Sequence, residues 1–293
     1  MEIKQSYGER IFNYFNILFM LFAMMLTLYP MLYILFASLS KPNDFMMHEG
    51  LLYGPIGFSL ASFRAVFKNP NIISGYGNTI IIVVGGVALN IFMTILGAYF
   101  LSRKNVMLNK VITLMIIFTM YFHGGLIPSY LLVKALHLDN TLLALIVPGA
   151  INTFNMIIMR TAFAAVPDSM EESAKLDGAN QFVILFRIMV PLALPTLMVL
   201  VLYYGVAHWN SWFNAMIYLR KRTLFPLQLI LREIIIQNDT NSMTTGSSAD
   251  DKEMISETIK YAVIVVATLP ILCLYPFLQK YFVKGVMVGA VKG

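Results

Sequence analysis

The sequence predicts an all-α polytopic membrane protein with six transmembrane helices, and three observations carry that prediction. Of 293 residues, 58% are hydrophobic and only 12% charged, with a mean hydropathy of +0.73. That is more apolar surface than one soluble core needs. The apolar residues fall in six blocks, each reaching the roughly 20 residues that a helix needs to cross a hydrocarbon layer of about 30 Å. The blocks are continuous, without the period-two alternation of a membrane barrel, so each span satisfies its backbone as a helix.

The first block, 12–39, follows Arg10 and could imitate a secretory signal. The apolar run Ile11–Leu39 is far longer than the roughly 7–15 apolar residues of such a signal, which makes it a retained span. The second span covers 77–101 and the third 109–135. The third is interrupted by "HGGLIP", where Gly124 and Gly125 weaken a helix and Pro128 removes a donor. These residues mark either a break at membrane depth or the helix end near the outer surface. The fourth span is 141–164, the fifth 190–219 and the sixth 258–281, all within one transmembrane domain over 1–293. Between the fifth and sixth lies a polar external loop, 220–257, containing "NDTNSMTTGSSADDKE". It is too hydrophilic for lipid and too long for a turn. It reads as a dock for an outside partner or as a solvated connector.

The net charge of +6 does not indicate nucleic acid, because the basic residues cap the apolar blocks and form no stripe. They fit the topology rule that Lys and Arg stay inside. The linker "SRKNVMLNK" carries Arg103, Lys104 and Lys110 with no acid, so it is expected to be cytoplasmic, with both termini on the same side. The "RKR" at 220–222 opposes this orientation, although long translocated loops follow the rule poorly. The single cysteine, Cys273, sits in an apolar run, excludes an internal disulfide and reads as a packing residue.

Between the fourth and fifth spans the coupling loop 167–191 is too polar for lipid. Pro167 ends the preceding helix, and Asp168 with Glu171 three residues on has the spacing of a capping box. A short helix should therefore start at 168. Gly178 suits a left-handed end, Asn180 can cap a second short helix, and Pro191 should close it. Met170, Ala174, Phe182, Leu185, Phe186 and Met189 supply apolar contacts across the turn, while Glu171, Glu172, Lys175 and Asp177 supply charge.

The stretch "ESAKLDGANQFVILFRIMVP" resembles the EAA loop of permease subunits in binding-protein-dependent ABC importers. Glu172, Ser173 and Ala174 stand at the triplet, Gly178 follows after three residues, and Ile188 and Pro191 occupy the remaining positions. Ser173 and Val190 depart from the family pattern and put fine contacts in doubt. "GAYFLSRK", "WNSWFNAMIYL" and "QKYFVKGVMVGAVKG" extend the resemblance to carbohydrate permeases of the maltose-permease-like group over nearly the whole chain. "TIKYA" and the terminal "VKG" are similar to permeases for oligosaccharides and polysaccharide fragments, including the smaller permease of alginate-type importers. The resemblance implies a cytoplasmic coupling helix that docks on an ATPase, with Glu171, Glu172, Ser173, Ala174, Asp177, Gly178, Ile188 and Pro191 forming the docking element. It also implies a second homologous permease subunit, two ATPase subunits, an external sugar-binding protein and the cytoplasmic membrane of a bacterium. Plain solvation of Glu172 and Asp177 is the alternative.

No P-loop is present, since the dipeptide Gly-Lys occurs nowhere, so the resemblance places ATP and Mg on the partner ATPase and no cofactor on this chain. His48, His123, His137 and His208 form no metal-ligand spacing, and no nucleophile motif occurs. The chain reads as a non-enzyme. For the substrate pathway, Trp209 and Trp212 are three apart and should share a helix face, with Asn210 and Asn214 on a neighbouring one. Aromatic faces plus amides suit sugars, but tryptophans at that depth also suit the interfacial belt. Tyr203, Tyr204 and Asn155 are weaker pathway candidates. An ion-gradient-driven secondary transporter is the competing class, and it would more often show internal repeats and carboxylates within the spans. An intramembrane enzyme has no matched nucleophile or metal ligands.

Overall fold

The computed structural model describes residues 6–103, 106–237, 257–273 and 276. Its helices run in the order α1 (Tyr7–Ser38), α2 (Pro42–Met46), α3 (Ala61–Lys68), α4 (Pro70–Ser102), α5 (Asn109–Tyr121), α6 (Leu126–Ala135), α7 (Leu143–Ile146), α8 (Thr153–Ala164), α9 (Asp168–Leu176), α10 (Gln181–Ile184), α11 (Val190–Leu192), α12 (Leu194–Trp209), α13 (Phe213–Tyr218) and α14 (Leu227–Gln237). A further helix, α15, covers 257–273. A π turn, Leu185–Met189, joins α10 to α11, and a 3₁₀ turn, Arg222–Leu224, precedes α14. Among the described residues the only β pairing is an isolated bridge between Ser40 and Phe58.

The chain divides into two compact units. One comprises 1–69 and 233–268, the other 70–232 and 269–293. In the first, the Glu9 carboxylate accepts the Ser6 backbone N–H (2.7 Å) and so secures the start of α1. Almost all of the apolar side chains of α1 are exposed in the isolated chain. A helix that is apolar on all sides requires lipid or another chain around it. Tyr33, Phe45 and Tyr261 form an edge-on aromatic cluster with centroids 5.6–6.3 Å apart, and Ser62 bonds Thr258 at 2.9 Å.

The second unit is built on α4, which packs along α8 and α12. Its apolar contacts include Ile95, Ala98 and Leu101 against Met156, Met159, Phe163, Leu197 and Leu200. Polar side chains punctuate this apolar seam, and each has a partner. The Asn90 amide donates to the Gly149 carbonyl (2.5 Å), so its oxygen faces His208 and accepts the Nε2–H (2.7 Å). Thr94 and Tyr204 share a hydrogen bond of 2.8 Å. Thr79 Oγ1 accepts the Leu227 N–H (2.9 Å), and Asn78 donates to the carbonyls of Thr223 and Phe225 (2.8 and 3.1 Å).

Helices cover parts of the expected spans, with different continuity. By length and apolarity, α1 and α4 can each cross a bilayer alone, and counting two bent pairs as single spans raises the number to four among the described residues. The third expected span breaks between α5 and α6 with a bend of 112°, where Gly125 (φ +88°) takes a backbone conformation open to glycine. The fourth, expected as one helix over 141–164, is split into α7 and α8. Pro148 and Gly149 lie in the gap, and the Asn152 side chain restarts the helix by accepting the Asn155 N–H (3.0 Å). The fifth bends by 85° between the stretch Gln181–Leu192 and α12, and its helix ends at Trp209. The sixth is described only to 273, apart from Pro276, and half of the expected external loop, 238–256, lies outside the described residues. Cys273, expected to pack inside, is exposed.

Close packing of α4 makes a specific demand at one glycine. A Cβ on Gly86 would stand 2.4 Å from His208 Nε2 and 2.6 Å from Cε1, whereas one on Gly77 of the same helix meets nothing within 4 Å. Gly86→Ala is expected to force the ring off Asn90 and to cost about 1–3 kcal/mol. Gly77→Ala should be neutral or gain up to about 1 kcal/mol from helix propensity. Thermal unfolding of the purified protein measures both, and equal melting of the two variants would contradict the close approach.

Candidate functional site

The polar segment after α8 folds as two short helices around a tight turn. Pro167 precedes α9, and its carbonyl accepts the Met170 N–H (3.1 Å). The expected capping box does not form. Asp168 is the first helical residue instead of the cap, and Glu171 turns inward instead of back to the helix start. At the other end the expectation holds: Gly178 has φ +80°. The Gly178 N–H reaches the Lys175 carbonyl (3.0 Å) and the Ala179 N–H reaches Ala174 (2.9 Å), which together make a Schellman end. Asn180 then caps α10 by accepting the Val183 N–H (2.9 Å). The helical stretch that starts at Gln181 ends at Leu192, one residue past Pro191. Pro191 sits near the start of α11, where a missing N–H is tolerated, and the chain turns at Ala193.

Glu171 is 7% exposed, and it holds α9 to the end of α4. Its carboxylate pairs with the Arg103 guanidinium and with Lys175 one turn on (2.8 Å). The Arg103 guanidinium also lies over the Tyr99 ring, 5.0 Å from the centroid, and reaches the Phe163 carbonyl at the end of α8 (3.5 Å). Tyr99 donates its hydroxyl hydrogen to Gln181 of α10 (2.5 Å) and meets Phe163 edge-on. The last carbonyls of this region are occupied as well: the Asn109 amide donates to Leu101 and Arg103, and Arg160 donates to Leu101 (3.0 Å). Removing Arg103 costs more than the pair contributes, because it leaves the buried Glu171 carboxylate with the far more exposed Lys175. A cavity of about 440 Å³ opens beside the pair, lined by residues that include Tyr99, Arg103, Asp168, Glu172, Lys175 and Gln181.

The predicted residues of this segment therefore divide by burial. Ala174 is buried in the apolar cluster with Phe163, Ile184 and Leu185, and Ile188 packs at its edge. Glu172, Ser173, Asp177, Gly178 and Pro191 are exposed. Leu176 is 90% exposed, and Met170 and Phe182 are open beside it, so this short polar segment also shows apolar side chains to its surroundings. The sequence reading missed Arg103 and Tyr99. "GAYFLSRK" carries both, but its charges were read as a topology signal alone.

The predicted pathway residues do not form one face. α12 ends at Trp209 and α13 begins at Phe213, so a helix break separates the two tryptophans and likewise Asn210 from Asn214. Trp209 is buried, with its ring tilted against Tyr76 (6.2 Å). Trp212 is half-buried beneath the Arg232 guanidinium, 4.5 Å from the ring centroid. Asn210 and Asn214 are exposed, Tyr203 is largely exposed, Tyr204 is buried against Thr94, and Asn155 is buried in the first turn of α8. Among the described residues no cluster of His, Cys, Asp or Glu could hold a metal.

The described residues are helical and largely apolar, with a polar, capped helix pair between two apolar segments, as a membrane permease requires. Residues 95–288 match the family of binding-protein-dependent transport system inner membrane components, and the chain belongs to that family. It is 39% identical over 284 residues to Protein LplC of Bacillus subtilis, covering 97% of this chain and 96% of that one. It is 38% identical over 290 residues to the polygalacturonan/rhamnogalacturonan transport system permease protein YtcP of Bacillus subtilis, covering 97% and 99%. Its fold matches a chain in the crystal structure of a bacterial ABC transporter involved in the import of the acidic polysaccharide alginate, with a TM-score of 0.87, 30% identity, and 96% and 99% of the two chains covered.

Breaking the Glu171–Arg103 pair should destabilise the protein by about 3 kcal/mol in Arg103→Met. The double variant Arg103→Met/Glu171→Leu should recover more than half of that loss, because no buried charge is then left without its partner. Thermal unfolding of the two single variants and the double variant checks this. A double variant as unstable as the sum of the single ones would show that the residues do not interact.

Proposed function

We propose that this chain is one of two permease subunits of an ABC importer that moves oligosaccharides or polysaccharide fragments into a bacterial cell. ATP and Mg bind on separate ATPase subunits, and an external sugar-binding protein delivers the cargo. The observation that carries this reading is the α9–α10 pair: short, capped at both turns, and tied to α4 and α8 through Glu171 and Arg103. A helix docked on a closing ATPase dimer transmits motion only if its inner side is fixed and its outer side is free. Glu171 and Ala174 are on the fixed side, while Glu172, Leu176, Asp177 and Phe182 are open. The match to the EAA pattern at Glu172, Ser173, Ala174, Gly178, Ile188 and Pro191 supports the same assignment. In this reading the segment faces the cytoplasm, both termini lie on that side, and the chain crosses the membrane six times through broken as well as continuous helices.

The sugar class rests on one relative, the polygalacturonan/rhamnogalacturonan transport system permease protein, and on the structural neighbour, a transporter involved in the import of alginate. Substrate contact by Trp209, Trp212, Asn210, Asn214, Tyr203 and Asn155 is a weaker part of the proposal. Trp209 and Asn155 are buried within this chain, which leaves Trp212, Asn210, Asn214 and Tyr203 as the accessible members.

Two variants test the coupling assignment in the reconstituted complex. Gly178→Asp places a side chain at φ +80°, a strain of about 1 kcal/mol or more, and adds a charge to the turn. It should abolish uptake while membrane insertion persists. Leu176→Asp changes only an exposed side chain and should reduce binding-protein-stimulated ATP hydrolysis at least about tenfold, equivalent to about 1.4 kcal/mol, with the melting temperature unchanged. Normal stimulated hydrolysis in Leu176→Asp, with an ATPase still copurifying, would remove this segment from the coupling path.

A further inference from the structure

We infer that Arg232, held on the indole of Trp212, is a specificity residue that reads a carboxylate on the transported sugar. This rests on the importer reading above and narrows its substrate to acidic, uronate-bearing oligosaccharides. The starting point is the occupancy of the Trp212 face. A tryptophan that binds neutral sugars does so with a ring face, and the Arg232 guanidinium lies over one face of this ring at 4.5 Å. The indole therefore works as a platform for a cation.

The guanidinium has five N–H donors. Among the described residues it donates to the Met216 sulfur (3.5 Å), a weak acceptor. The ion pairs of Glu171 with Arg103 and Lys175, and of Glu257 with Lys260, do not involve Arg232. Stacking on an aromatic face holds a guanidinium while leaving its edge free for a planar anion, and a carboxylate fits that edge with two parallel bonds. A surface arginine with no further purpose would ordinarily point its head into water. This one is drawn onto a half-buried ring.

The neighbours suit the remainder of a sugar. Gln228 precedes Arg232 by four residues, so the two share a face of α14. The Gln228 amide approaches Asn210 at 3.4 Å, and Asn210 is exposed. Gln228 and Arg232 of α14, with Asn210 at the end of α12, thus offer two amides and one cation around Trp212. Amides donate to and accept from hydroxyls, while the cation supplies what a neutral sugar would not use. A simpler role for the stack, fastening α14 to the break between α12 and α13, predicts a loss of stability without a change in selectivity.

The test uses the complete complex, with partner permease, ATPases and binding protein, in proteoliposomes. The probes are tetragalacturonate and its fully methyl-esterified form, which has the same chain length and no charge. Arg232→Gln is expected to lower uptake of tetragalacturonate about tenfold relative to the wild type, while uptake of the ester changes less than twofold and the melting temperature stays the same. Arg232→Lys keeps the charge but loses the planar fork, and should fall between the two. An equal loss for both probes, or earlier melting with an unchanged ratio, would assign Arg232 to bracing and overturn the inference. A wild-type complex that takes up neutral oligosaccharides and refuses tetragalacturonate would overturn it too, while leaving oligosaccharide import intact. Failure to take up any oligosaccharide would instead sink the importer reading on which the inference depends.

Discussion

Where the chain leaves helical geometry in apolar surroundings, the freed backbone groups must be bonded by something other than water, and this constraint organises the second unit. Its helices are broken at several places, and side chains reach several of the breaks. Asn90 of α4 bonds the Gly149 carbonyl between α7 and α8. Asn78 bonds Thr223 and Phe225, and Thr79 takes the first N–H of α14. Asn140 accepts the N–H groups of Arg220 and Lys221 where the chain leaves α13 (3.0 Å each). Asn109 and Arg160 bond the last carbonyls of α4. Short amides and hydroxyls thus do at the breaks what helical bonds do elsewhere, and the discontinuities are fixed rather than loose.

The same economy explains the polar segment over α9 and α10. A short helix gains little from its own backbone, because nucleation is costly and few bonds follow. The end of α9 is closed by the Schellman bonds at Gly178 and Ala179, and its inner face by Ala174 and by Glu171. Glu171 is bonded to Arg103 in a place where lone ionised groups are expensive, so the charge demands its partner and the partner fixes the helix. The gain here is position more than stability. Tyr99 adds a second tie by stacking under the guanidinium and bonding Gln181 on the following helix. One arginine and one tyrosine on consecutive turns of the same helix end therefore hold both halves of the helix pair.

Much of this was legible in the sequence, and the exceptions share a cause. The helical class followed from continuous apolar blocks, the break near Gly124 and Gly125 from glycine content, and the turn at Gly178 with the cap at Asn180 from local backbone preference. Each of these depends on residues within a few positions. The inward turn of Glu171 depends on Arg103, 68 residues away, and no local pattern encodes it. Capping geometry favoured one use of that carboxylate, and a distant cation won. Between α7 and α8 the signal was present in Pro148 and Gly149, but the length of the apolar block outweighed it in the reading. The separation of Trp209 from Trp212 is a similar case, because a shared face follows from spacing only when the helix is unbroken, and "NSW" interrupts it.

These differences in continuity give the second unit an internal division of labour. α4 is one uninterrupted helix of 33 residues, roughly 50 Å at 1.5 Å per residue. It bonds Glu171 through Arg103 just past one end, Tyr204 in its interior, and the start of α14 through Thr79 towards the other end. The stretch leading from α10 into α12 is its opposite, with a π turn, two prolines and an 85° bend. π turns and prolines are the usual places where a helix changes direction. Under a push on α9 the stiff route runs along α4, and the bent route is where angle can change without breaking packed contacts. Arg232 stands on α14, whose first N–H is bonded by α4, so the proposed carboxylate-reading surface and the proposed ATPase-docking surface are attached to the same rigid helix. Attachment to a common rigid element is what allows a displacement at one surface to alter the geometry of the other.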